Sequence, residues 1–160
     1  MSDFLFALTL LAALGCGSAA GVFFAFSSIV MKGLGRLEPA RGVAAMQAIN
    51  VAAVSFAFMV ALFGTALACA AVGGWALAEW NEPFAGYLVA GSALYLLGVI
   101  ALTIGYHVPR NNALATVDAD GPEAAEIWAG YVVDWTRWNH VRAAAALAAS
   151  AALVGALLIH

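Results

Sequence analysis

The chain has 160 residues, of which 65 % are hydrophobic and 9 % charged, and its formal net charge is −3. A soluble domain carries roughly 25 % charged residues, so a water-facing surface cannot be built from so few. The six basic residues are too few and too scattered for a nucleic-acid site.

Residues 4–31, 42–78, 83–109 and 143–160 contain no Asp, Glu, Lys or Arg. A membrane helix needs about 20 largely apolar residues. The expected fold is therefore all-α: a single integral membrane domain over 1–160, with four transmembrane helices near 4–30, 44–74, 84–107 and 138–159. Its first partner is the lipid bilayer. The first run reads as a span rather than a signal peptide, because it lacks a basic start and is too long. Within it Ala13, Gly17 and Gly21 recur every fourth position. Such a stripe of small residues lets helices approach closely, within one bundle or in a homo-oligomer.

The first loop, "KGLGRLEPARG", is short. Trp75 and Trp80 in the second connection suit the membrane–water boundary. Pro109 is expected to end the third helix or to force an extended segment after it. In "DGPE", Asp120 reads as an N-cap ahead of Pro122 and Glu123. A short amphipathic helix should come next, about 121–135, with Ile127, Trp128, Tyr131, Val132 and Trp135 on one face. Lying on the membrane surface, it should join the last span through a bend near Trp135 and Thr136, since one straight helix would far exceed the bilayer. Cys16 and Cys69 are expected at different depths, as two separate buried thiols rather than a disulfide.

All the basic residues fall in or beside two connections: Lys32, Arg36 and Arg41 in the first, and Arg110, Arg137 and Arg142 in or beside the third. The positive-inside rule makes loops 31–43 and 108–137 cytoplasmic and both termini extracytoplasmic, with a bacterial inner membrane as the expected location. The polar residues gather at the same end. Ser27, Ser28, Gln47, Asn50, Thr103, Tyr106, His107, Asn111, Asn112, Thr136, Arg137, Asn139 and His140 all lie near cytoplasmic helix ends. Polar groups are costly in lipid and should face one another, which predicts one polar pocket with an apolar floor.

Several members also have plainer readings. Ser27, Ser28 and Thr103 can bond to their own helix backbone, and Asn50 can simply tie helices together. Arg110 and Arg142 are expected to set orientation or to reach lipid phosphates, and Trp128, Trp135 and Trp138 to anchor the interface. Two histidines without acidic or thiol neighbours make a thin metal set, so no metal is expected. His107 and His140 bridging an ion or haem stays open as an alternative. A transporter is disfavoured by the almost purely apolar outer halves of the spans.

"GVFFAFSSIVMKGL", "AMQAIN", "VPRNNAL" and "YVVDWTRWNHVR" together resemble the anthrone oxygenase-like family of small four-helix membrane proteins, many known only as a domain of unknown function. The resemblance implies oxidation of an anthrone to an anthraquinone by dioxygen, with neither metal nor flavin as cofactor. The family's third-helix motif reads Asn-Val-Pro-Leu-Asn, whereas this chain has "HVPRN", so His107 and Arg110 imply a more basic pocket. Such chemistry needs a base, oxyanion donors and a flat aromatic cavity. His140 is the candidate base, with His107 second. Asn50, Asn111, Asn139 and Arg137 are candidate oxyanion donors, and Gln47 belongs to the same polar set. Trp135, Trp138, Phe23 and Phe26 are candidates to sandwich a planar ring. The main alternative is a non-enzymatic protein that binds a lipid or a small quinone-like ligand, or serves as a subunit of another membrane protein.

Overall fold

The computed structural model describes residues 1–160, all of them helix, turn or short connection. Five helices form the chain: α1 (Asp3–Leu34), α2 (Pro39–Ala52), α3 (Phe56–Ala78), α4 (Ala85–Ala115) and α5 (Ala124–Leu158). Of these α1, α3, α4 and α5 are long and apolar enough to cross a membrane. Their outward faces are apolar: Leu67 is 73 % exposed and Leu147 63 %. Only a bilayer makes such a surface favourable, and the protein is a multi-pass membrane protein.

Four sequence expectations are corrected. The second run, expected as one span over 44–74, is two helices, with Ser55 in extended backbone between them. Nothing charged marks the break, so hydropathy sees one segment. Pro109 does not end the third helix. The turn before it, Thr103–His107, is a π-helix, and the wider turn accommodates the proline ring and its missing donor. The bend expected near Trp135 is absent. The amphipathic segment is the start of the 35-residue α5, which opens at Ala124, and Asp120 makes no cap. Instead its backbone N–H donates to Asp118 Oδ1 at 3.1 Å in a turn. At 1.5 Å per residue α5 is about 52 Å long, against a hydrocarbon core of about 30 Å. Its first turns therefore stand clear of the hydrocarbon.

What covers those turns is a second core. The larger apolar cluster lies among α1, α3, α4 and α5 and includes Ala12, Cys16, Val72, Leu88, Tyr95, Ala149 and Leu153. A smaller one gathers Met31, Val43, Met46, Leu114, Trp128, Tyr131 and Trp135, from the end of α1, α2, the end of α4 and the start of α5. We call this assembly the cap. Gln47 holds α2 to it by donating to the carbonyls of Leu114 and Val117, both at 2.9 Å, so Gln47 closes the C-terminus of α4.

The membrane core packs through small residues. A Cβ on Gly91 would lie 2.8 Å from Leu153, and one on Gly98 would lie 2.5 Å from Ala145, so α4 and α5 touch almost backbone to side chain. Cys16 and Cys69 are not at different depths, as expected from sequence. Their sulfurs are 3.7 Å apart, both fully buried, and not bonded as a disulfide.

Overpacking a tight core costs about 1–3 kcal/mol. Gly91→Val and Gly98→Val should therefore each lower the unfolding midpoint in detergent. Gly64→Ala, where a Cβ meets nothing within 4 Å, should leave it unchanged.

Candidate functional site

The seam between the two cores is polar. Asn139 and Arg142 lie one turn apart on α5, facing inward. Asn139 is wholly buried, and its Nδ2 donates to Ser27 Oγ and to the Phe23 carbonyl, both at 2.7 Å. Its Oδ1 accepts from Arg142 Nη2 at 2.6 Å, while Arg142 Nη1 donates to Thr103 Oγ1 at 3.1 Å. One chain of bonds thus links α1, α5 and α4.

Both outer partners come from π-helical turns. Ser27 lies in Phe26–Val30 of α1 and Thr103 in Thr103–His107 of α4. A π turn inserts one residue and rotates the remainder of its helix, which is how each helix turns a hydroxyl toward α5.

Arg142 is 6 % exposed and has no carboxylate partner. Its guanidinium lies 4.3 Å from the Phe23 ring centroid and 5.4 Å from that of Trp135. These ring faces provide partial compensation for the charge. Its Nε donor remains without a partner. Sequence expectation made Arg142 a lipid anchor; the structure corrects this and makes it the most buried charge in the chain.

Beside it lies a cavity of about 90 Å³. Phe23 and Phe26 of α1, Asn50 of α2, Phe58 of α3, Asn111 of α4 and Trp135 with Arg142 of α5 line it. Phe26 and Trp135 stand 6.0 Å apart, ring centre to ring centre. Asn111 Oδ1 accepts from Tyr131 Oη at 2.8 Å and from Trp135 Nε1 at 3.0 Å, which fixes the Trp135 ring. Asn50 Nδ2 is buried without a partner. Two unsatisfied donors, Arg142 Nε and Asn50 Nδ2, thus belong to side chains lining one aromatic cavity.

Of the residues singled out from sequence, Phe23, Phe26, Asn50, Asn111 and Trp135 line this cavity, and Asn139 supports it from behind. The histidines do not line it. His107 is 1 % exposed, packs edge-on against Trp135 at 5.0 Å, and has no partner on either ring nitrogen. His140, expected to turn into the bundle, is exposed and opens onto grooves on the outer side of α1 and α5. Arg137 shares one of those grooves. Trp138 is 39 % exposed and packs on Tyr106. Arg110, whose presence suggested a more basic pocket, lies over the Tyr106 ring at 4.4 Å and within 4.0 Å of Asp134, outside the cavity. No three His, Cys, Asp or Glu side chains converge as a metal site would need.

The arrangement presents a desolvated cation and a free amide donor to a small aromatic chamber, which suits a planar ligand carrying negative charge on oxygen. No curated protein and no solved structure matches the chain. The family described as anthrone oxygenase matches residues 53–152, well over half of the chain and covering α3, α4 and most of α5. This chain belongs to the anthrone oxygenase family.

Proposed function

We propose that the protein is a cofactor-free oxygenase of anthrone-like, electron-rich aromatic substrates, and that it binds them as oxyanions beside Arg142. The observation that carries this reading is the buried guanidinium without a counter-ion, with a free Nε, at an aromatic cavity. A buried charge without a partner is strongly unfavourable. An anionic ligand supplies the missing partner.

An anthrone is a carbon acid whose conjugate base carries its charge on oxygen. A cation in contact lowers the pKa of an acid by about 1–3 units. None of the cavity-lining side chains is a base, so we assign catalysis of proton loss to stabilisation of the anion by Arg142 and Asn50, with water taking the proton. The anion passes one electron to dioxygen, and the two radicals join as a peroxide at the former methylene carbon. Loss of water leaves a carbonyl there, so one oxygen atom enters the quinone and the other leaves as water. Dioxygen partitions into lipid and reaches such a site through the apolar bundle.

Anaerobic addition of an anthrone should produce the anion's absorbance at a pH where the free compound is neutral. Arg142→Met should abolish that spectrum and reduce turnover in air by about 10²–10³-fold. If His107→Gln also abolishes the spectrum in folded protein, His107 is the base and anion stabilisation alone is insufficient. No rate above buffer for the wild type removes the substrate assignment.

Size favours a second reading. A cavity of about 150 Å³ holds a single benzene ring, and this one is about 90 Å³, so a tricyclic ring requires it to widen. A non-enzymatic protein that binds a small quinone-like ligand needs less. Phe58 borders the cavity from the start of α3. For an oxygenase, Phe58→Ala should lower KM for an anthrone several-fold, while Phe58→Trp should raise it. Tight quinone binding without turnover in either variant selects the second reading.

We further infer that the cap faces the cytoplasm of a bacterial cell, supported by the six basic residues at that end. An alkaline phosphatase fused after His160 should then be active, and an inactive fusion reverses the orientation.

A further inference from the structure

A second site faces outward, where α1 and α5 pack together, and it takes up the residues the cavity leaves unused. Two neighbouring grooves there share His140 as a lining residue. One, of about 440 Å³, is floored by Gly17, Ala20 and Gly21 of α1, with Ala143, Ala144 and Leu147 of α5 beside them. The other, of about 540 Å³, carries Lys32, Arg36 and Arg137 and no acidic side chain. Thr136 lines this basic half, and its hydroxyl is buried without a partner.

The order of polarity along the two grooves tracks depth. The apolar half lies within the charge-free runs 4–31 and 143–160, at the level of acyl chains. Lys32 is the first charge after the earlier run, and Arg36 and Arg137 lie beyond the charge-free runs on the same side, where lipid phosphates lie. The glycine at the apolar floor has no packing role inside the protein. A Cβ on Gly21 would meet nothing within 4 Å, and one on Gly17 only Ser150 Oγ at 3.3 Å. Gly91 and Gly98 admit a neighbouring side chain of the bundle, whereas Gly21 leaves space at the groove.

We propose that this groove binds one anionic phospholipid, with its phosphate among Lys32, Arg36 and Arg137 and an acyl chain along Gly17 and Gly21. A soluble phosphate would use only the basic half. A helix from a second copy would fill the apolar half and leave three cations uncompensated. A lipid with a net negative headgroup satisfies both halves.

Native mass spectrometry in mild detergent tests this, with phosphatidylglycerol and phosphatidylcholine of matched chains. The wild type should retain one phosphatidylglycerol per protomer, with phosphatidylcholine retained about tenfold less. The triple variant Lys32→Gln/Arg36→Gln/Arg137→Gln should lose that preference. Gly21→Leu should reduce retention of both lipids without altering the unfolding midpoint. Equal retention of phosphatidylglycerol by wild type and triple variant overturns the proposal. So does displacement of the lipid by equimolar glycerol phosphate, which assigns the site to a soluble anion. If the wild type is instead a dimer that Gly21→Leu dissociates, a second copy occupies the groove.

Discussion

The guanidinium of Arg142 governs the centre of this structure. An ionised group removed from water must recover its solvation from the protein, and here only neutral groups are at hand. Asn139, Thr103 and the ring faces of Phe23 and Trp135 supply it. These contacts come from α1, α4 and α5 itself, so the requirement of one side chain bears on the mutual rotation of all three helices. The π turns that carry Ser27 and Thr103 serve the same network. In a regular α-helix the hydroxyls of Ser27 and Thr103 would sit at other angles, and the bonds through Asn139 and Arg142 would not close.

Much of this is legible in α5 alone. Its buried face runs Trp128, Tyr131, Trp135, Asn139, Arg142, Ala146, Ala149, Leu153, Ala156, in steps of three and four. With 3.6 residues per turn, His140 stands about 100° round from Asn139 and cannot share that face. Carried through Trp135, the amphipathic pattern places Arg142 inside and His140 outside. The expected bend interrupts that pattern, because setting bilayer thickness against helix length makes no allowance for a cap that covers the projecting turns. The charge-free runs, by contrast, lead directly to four long apolar helices, and the clustering of polar residues at one end places Asn50 and Asn111 where the cavity lies. The π turns leave no signature in "FSSIV" or "TIGYH", since a one-residue widening is dictated by partners on other helices. The break before α3 is equally silent: Ala53, Val54 and Ser55 include no proline, glycine or charge.

The two cores differ in how they pack, and that difference locates the cavity. In the membrane core Gly, Ala and Ser bring backbones together, leaving little free volume. The cap is built from Trp, Tyr and Met, whose large and irregular shapes cannot continue that close spacing. Where the two meet, α1 and α5 pass from one regime to the other, and the space between Phe23, Phe26 and Trp135 stays unfilled. Polar groups at the seam keep it from collapsing as an apolar void would, because Asn50 and Arg142 gain nothing by burying themselves deeper in hydrocarbon.

The walls of the cavity differ in how they are held. Four of the helices that line it, α1, α3, α4 and α5, are the long ones. The fifth is α2, which joins α3 through extended backbone at Ser55, packs Val43 and Met46 into the cap and bonds to the end of α4 through Gln47. Ile49, Asn50 and Ala53 line the cavity from this one short helix and its end. The network of Asn139 and Arg142 does not depend on α2, since its hydrogen bonds involve no residue of that helix. The cation is therefore positioned by α1, α4 and α5 alone, while the short α2 and its end close the cavity from another side.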